Sequence, residues 1–377
     1  MRRVGSHCRF FVTVRRFTLC AGAFAVALLV FGSGPVHAQA VSPASPLQPS
    51  HYIPGLAGIR DAVTPPPGLF VIWYNYGFIS NRFIDRNGNV VDSLRQGNVA
   101  VDLDVSMWAT SPLIAFSSRR AVLGGARYIV GIAPNFFQSS CKLVTQRYAG
   151  IDDTTITQVS EGSLGGWSDL VVVPLGLSWA FGRFSEDASN PFAGLSDEEI
   201  FEQYGLPPPR HWNVSFFYWF AAPTGRYETG ASDNLGFGFW THAFQLFGYW
   251  YPRSDQAAAL EAGLTFETHS RIKDRDVRPG DRLSLEYGAS MFVNPWLELG
   301  IGGAHNWQIS DDTGDDVYWD PNVHDRKSML NFTVGALPTP WLYVVGKYGF
   351  DYGARQRFDG HNFVLNLTFI TGWLDGR

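Results

Sequence analysis

Asp311, Asp312, Asp315, Asp316 and Asp320 crowd one short stretch of the chain, and hard carboxylate oxygens at that density could hold a Ca²⁺ ion. Their spacing departs from the calcium-loop pattern, which needs acids on alternating positions, a glycine at the sixth and a glutamate at the twelfth. A solvated acidic loop is the expectation. His242 and His305 are the other candidates, because outward-facing histidines on a strand could serve a lipid hydrolase. Their same-face neighbours are Phe244 and Trp307 rather than serines, so a nucleophile would have to come from another strand. The sequence contains no His-Glu-x-x-His, phosphate loop or Gly-x-Ser-x-Gly elbow. No enzyme, metal or cofactor is expected.

Only extended chain would hold these residues where they fall. In 281–293, Leu283, Leu285, Tyr287, Ala289, Met291 and Val293 alternate with Arg282, Ser284, Glu286, Gly288 and Ser290, a period of two. The same alternation runs through 68–79, 97–110, 121–135, 166–183, 210–222, 236–251, 256–270, 296–310, 325–337, 341–352 and 361–373. These twelve segments exceed the roughly 5 to 6 residues of an ordinary strand and suit the roughly 9 to 11 of a tilted membrane strand. Lipid offers no partner to backbone N–H and C=O groups, so such strands must close on themselves. The pattern predicts an all-β chain: a single transmembrane antiparallel up-and-down β-barrel of about twelve strands, spanning 68–373, with a short N-terminal plug-like segment.

The joints fit that architecture. Pro252 to Asp255, Asn294-Pro295 and Pro338-Thr339-Pro340 are short, as periplasmic turns are, while 271–280, 311–324 and 353–360 are longer and polar. Residues 136–165 read as a long outer loop. Residues 184–209 make an unusually long periplasmic joint, in which Ser196-Asp197-Glu198-Glu199 looks like a capping box opening a short helix to Tyr204. Trp296 and Trp341 open strands and Trp250, Tyr251 and Trp373 close them, at the depth of a membrane interface.

Composition agrees. Charged residues make up 17% and aromatics 15%, with 40 glycines, and a mean hydropathy of −0.06 is what alternating lipid-facing and lumen-facing residues produce. Residues 1–40 read as a cleaved export signal, with Arg2, Arg3, Arg9, Arg15 and Arg16, an apolar run from Leu19 to Phe31, and Ala38-Gln39-Ala40. The signal holds five of the 29 basic and none of the 34 acidic residues, so the exported chain carries 24 against 34, a charge of −10. That balance argues against nucleic acid. The expected location is the cell outer membrane, among lipid and lipopolysaccharide, which the acidic outer loop could reach through divalent cations.

Carrying the alternation inward places Trp73, Asn75, Asp102, Asp104, Asn213, Phe217, Trp219, Thr241, Gln245, Glu261, Glu267, Arg282, Glu286, Glu298, Asn306, Gln308 and Lys347 in the lumen. Six carboxylates in so narrow a space demand counter-cations. Residues 41–67, Pro-rich and too irregular for a strand, are the candidate plug, with Arg60 pairing to lumen acids beside Asp61; the alternative is an extended periplasmic leader.

His51-Tyr52-Ile53-Pro54-Gly55, Arg60-Asp61, Pro66-Pro67-Gly68-Leu69, Asp85-Arg86-Asn87-Gly88-Asn89, Pro223-Thr224-Gly225-Arg226-Tyr227, Asp233-Asn234-Leu235-Gly236 and Asp311-Asp312-Thr313-Gly314 are the pieces that carry a resemblance. Over roughly 50–370 the chain resembles the family of transporters of the meta-pathway of phenol degradation, related in character to fatty acid and toluene outer-membrane channels. The resemblance implies an outer-membrane barrel that passes small hydrophobic or aromatic compounds. The functional expectation is passive uptake past Trp73, Phe217 and Trp219, with Glu261, Arg282, Glu286, Glu298 and Lys347 along the path. A structural or adhesive barrel and a general aqueous pore are the alternatives.

Overall fold

The computed structural model describes residues 50–370, apart from 92, 97–98, 150–153, 185–193, 197–198, 201–208, 230 and 232–233. The signal sequence, residues 41–49 and Trp373 lie outside the described residues. The strands are β1 (Gly68–Ser80), β2 (Phe83–Ile84), β3 (Val90–Val91), β4 (Ser93–Gln96), β5 (Val99–Ser117), β6 (Arg127–Ala133), β7 (Phe136–Ala149), β8 (Thr154–Trp167) and β9 (Leu170–Phe181). They continue as β10 (Trp212–Ala222), β11 (Thr241–Trp250), β12 (Ala258–His269), β13 (Arg282–Asn294), β14 (Leu297–Gln308), β15 (Arg326–Thr339), β16 (Leu342–Arg355), β17 (Arg357–Phe358) and β18 (His361–Ile370).

Twelve of these close a cylinder: β1, β5, β6 and β9 through β16 in order, then β18, which pairs back with β1. Every pairing is antiparallel, and among the described residues the closure leaves no barrel edge unpaired toward lipid. The outward residues form an apolar belt that includes Leu246, Leu264, Ile301, Phe332, Val334, Phe363 and Leu365. Trp296 and Trp341 sit exposed at the short turns, and Trp212 stacks on Trp250 with ring centroids 6.1 Å apart, as expected at an interface. Tyr251 departs from that belt. It is buried and turned inward, where the Arg60 guanidinium lies 5.6 Å from its ring centroid.

Residues 136–165, expected as a loop, are mostly strand. β6 and β7 keep one register against β5, with Ile114 opposite Ile132 and Thr110 opposite Phe136. They form a single strand interrupted at Pro134-Asn135, and β8 and β9 are likewise interrupted at Ser168-Asp169. β7 and β8 pair from Phe136–Trp167 to Ala149–Thr154 while β10 ends opposite Leu170, so this hairpin continues past the barrel wall. Sequence reading failed here because polar residues fall at both odd and even positions of this stretch, and without an apolar row there is no alternation to follow.

Two local motifs match their sequence signals. Ser196 N donates to Glu199 Oε2 at 2.7 Å and Glu199 N to Ser196 Oγ at 3.2 Å, the reciprocal capping box at the start of a helical turn. Residues 201–204 of the expected helix lie outside the described residues. The acidic loop is internally bonded: Asp312 accepts from Gly280 N, Gln308 and Trp319, Asp316 from Asp276 N, and Asp311 pairs with His324.

Candidate functional site

The interior is divided lengthwise. One sector, lined by β1, β5, β6, β9 and β10, is apolar and aromatic: Phe70, Ile72, Ala115 and Ile129 are buried together, with Tyr74, Leu113 and Phe217 against them. The other sector, from β11 to β16, presents Thr265, Glu267, Arg282, Ser284, Glu286, Glu298, Asn306 and Lys347, all buried. A chain that satisfies polar groups has to lie against the second sector, and residues 50–67 do so.

That segment is bonded along its length. Ser50 Oγ donates to Glu267 at 2.5 Å and Tyr52 N to the same carboxylate at 3.2 Å, while the Tyr52 hydroxyl donates to Glu286. Lys347 Nζ donates to the carbonyls of Gly55 and Ala57 at 2.6 and 2.7 Å, and Asn366 Nδ2 to that of Leu56 at 2.8 Å. At the short-turn end Arg60 Nε meets Glu298 at 2.5 Å, and its two terminal nitrogens donate to the carbonyls of Gln256 and Ala257. Tyr343 also donates to Glu298. Asp61 accepts from Gly58 N within its own turn, and Ser215 Oγ donates to Ala62 O. Ile59 packs where Gly288 and Gly300 leave room, since a Cβ on Gly300 would stand 2.7 Å from Ile59 Cδ1.

The segment leaves the aromatic sector uncovered, and a cavity of about 640 Å³ remains between them. Its wall includes Ile72, Tyr74, Tyr76, Phe78, Met107, Ala109, Leu113, Phe217 and Trp219, faced by His51, Tyr52, Ile53 and Leu56 of the segment. The volume falls within the roughly 300 to 1,000 Å³ of small-molecule sites.

Asn234, Leu235, Gly236 and Phe237 also line the cavity, at the long-loop end. The two glycine-bearing pieces of 223–237 fold on each other there: Leu235 N and Gly236 N donate to Arg226 O, and a Cβ on Gly225 would stand 2.7 Å from Gly236 Cα. Asn234 closes the loop through Glu228 N and O. Asp169, fully buried at the strand interruption, ties this loop to the segment, accepting from Gly225 N at 2.9 Å, Phe237 N at 2.8 Å and His51 Nε2 at 2.9 Å. The other His51 nitrogen lies 2.6 Å from Thr241 Oγ1, and Asn135 Nδ2 donates to the Asp169 carbonyl. Replacing Asp169 by Ala strands three part-buried donors, which should cost about 2–5 kcal/mol. The expected readout is a lower unfolding temperature together with new protease cleavage at Arg226. A variant as stable and as resistant as the parent would show that Asp169 is not what holds the loop.

The sequence-derived site residues divide as follows. Phe217 and Trp219 line the cavity, and Glu261, Arg282, Glu286, Glu298 and Lys347 face the lumen on the polar side, where all but Glu261 and Arg282 bond the segment directly. Trp73 does not belong in the lumen. It is 44% exposed on the lipid-facing side, its Nε1 donating to Thr110. Asn75 shares that outward row, and Asp104 is exposed beyond the barrel rim, while the side chain of Asp102 lies outside those described. In β1 both faces are aromatic or aliphatic, so the rule of polar residues inward gave the wrong phase. His242 and His305 do lie on the outer face, bonded to Tyr218 and Ser328. Sequence reasoning missed Asp169, Tyr74, Tyr76 and the lining pair Lys327 and Arg357.

A closed twelve-stranded sheet with an apolar belt and a polar-bonded interior defines an outer-membrane β-barrel. The chain belongs to the family described as "Putative MetA-pathway of phenol degradation", whose model matches residues 80–367. No curated protein matches the sequence. Among solved structures, an outer membrane channel from Pseudomonas putida F1 is similar, with 15% identity and a TM-score of 0.54 over 82% of this chain and 97% of that one. A Pseudomonas aeruginosa FadL homologue matches at 11% identity and a TM-score of 0.36, over 81% of this chain and 90% of that one. The monoaromatic hydrocarbon channel TodX, as a deletion mutant, matches at 8% and 0.41, over 81% and 91%.

Proposed function

We propose that this barrel carries small hydrophobic or aromatic compounds passively across the outer membrane, through the cavity between residues 50–67 and the aromatic sector. The cavity carries the reading: its wall is aromatic, its volume admits such compounds, and the polar sector opposite is already occupied by the segment. Tyr74, Phe217 and Trp219 supply rings for stacking, while His51 and Tyr52 offer polar edges for orientation. Residues 50–67 act as a plug that denies the lumen to water and ions, which sets the protein apart from a general aqueous pore. The family's description and the channel from Pseudomonas putida F1 point the same way. The long loops face lipopolysaccharide, with the exposed Asp311 available for divalent bridging.

Uptake into proteoliposomes over a panel of phenols, monoaromatics and alkanes tests this. Saturable influx above protein-free liposomes is expected for the aromatics. A panel indistinguishable from the protein-free control would leave the structural or adhesive barrel as the better reading.

A further inference from the structure

At the long-loop end the aromatic cavity changes character. Lys327 of β15 stands opposite Asn306 of β14, both facing inward, and both line the cavity together with Arg357 of β17. Lys327 Nζ donates to Asp351 at 3.1 Å and lies 5.0 Å from the centroid of Phe78. Arg357 Nη1 donates to Asn306 Oδ1 at 2.7 Å and reaches Asp325 at 3.3 Å. Asp325 is already held by the two terminal nitrogens of Arg282, and Asp351 also accepts from Asn362 Nδ2 and Gly360 N.

Glu267 stands opposite Arg282, and Asp359 is held by Arg82, while Asp325 is shared between Arg282 and Arg357, and Asp351 among Lys327, Asn362 and Gly360. Two protons of the Lys327 ammonium, and Nε and Nη2 of Arg357, have no protein partner among the described residues. Both side chains keep partial exposure, 15% and 17%. Those donors are open to the cavity, where water or a bound acceptor can take them. Tyr76, Phe78, Met107 and Phe358 surround the spot with apolar surface, so the acceptor would sit at the end of a hydrophobic body.

We propose that this end of the cavity is an anion subsite, in which Lys327 and Arg357 take the carboxylate of an amphipathic organic acid whose apolar body lies along Tyr76, Phe78 and Met107. The proposal rests on the uptake reading and narrows its substrate class. The opposite end of the lumen carries Asp61, Glu261, Glu286 and Glu298 against Arg60 and Lys347, an acidic excess that keeps a carboxylate head at the long-loop end.

Calorimetric titration of the purified full chain in detergent, with 4-phenylbutyrate, its uncharged amide and toluene, tests it. The acid should bind about tenfold more tightly than the amide at neutral pH, the return on charge-assisted bonds to two cations. Arg357→Gln should lower that ratio several-fold, and so should Lys327→Gln. The arginine variant is the gentler one, because Arg282 still holds both Asp325 and Asn306. Equal binding of acid and amide, or a ratio unmoved by either substitution, would overturn the subsite. Toluene and amide binding without acid binding would overturn it while the uptake reading stood. Failure of all three to bind would remove both.

Discussion

Deletion of residues 50–63 should convert a nearly silent barrel into an open one, with single-channel conductance in planar bilayers rising on the order of tenfold, since a small barrel becomes a conduit only when nothing fills it. The segment is not a loose tail. Glu267, Glu286, Glu298, Lys347, Asn366 and Ser215 all bond it, from Ser50 at the long-loop end to Ala62 at the short-turn end. Removing it also removes Arg60, the cation that neutralises Glu298. The exposed lumen would then hold Glu261, Glu267, Glu286, Glu298, Asp325 and Asp351 against Lys347, Arg282, Lys327 and Arg357, so the new current should be cation-selective. Arg60→Ala alone should give a smaller rise with flicker, because the bonds from Lys347 and Glu267 remain. Conductance unchanged by the deletion would mean that the segment does not obstruct the lumen.

How much of this was legible in the sequence follows from where the two faces of a strand differ. β12 and β13 alternate Ala259, Glu261, Gly263, Thr265 and Glu267 with Leu260, Leu264 and Phe266, and Arg282, Ser284 and Glu286 with Leu283, Leu285 and Tyr287, so strand identity, phase and even the lumen carboxylates could be read directly. β1 gave its identity but not its phase, because Phe70, Ile72, Tyr74, Tyr76 and Phe78 face inward while Leu69, Val71, Trp73 and Ile79 face outward. That same ambiguity is the mark of an apolar lumen sector. A strand that is apolar on both sides of the barrel wall has a second medium to satisfy besides lipid, here the cavity.

The contacts of Arg60 illustrate the other limit. Its need for a carboxylate followed from the acidic lumen, but the choice of Glu298 is set by the threading of 50–67, which no local pattern encodes. Asp169 was invisible for a related reason. It lies where β8 gives way to β9 and becomes important only because the 223–237 loop and His51, far away in sequence, arrive at its carboxylate. Lys327 fell at the start of the expected strand 325–337 and Arg357 in the polar joint 353–360, where basic residues ordinarily imply nothing more than solvation.

The cavity's role can be tested against the lipid-facing side of the same wall. Ala109 faces inward opposite Tyr76 and lines the cavity, whereas Trp73 points to lipid. The decisive measurement is the initial rate of toluene uptake into proteoliposomes by Ala109→Trp and by Trp73→Ala, each confirmed as a folded barrel. The account predicts a loss of about tenfold or more for Ala109→Trp, because an indole would fill the space the substrate must cross, and a wild-type rate for Trp73→Ala. Normal uptake through the filled cavity, or its loss on trimming Trp73, would contradict the path proposed here.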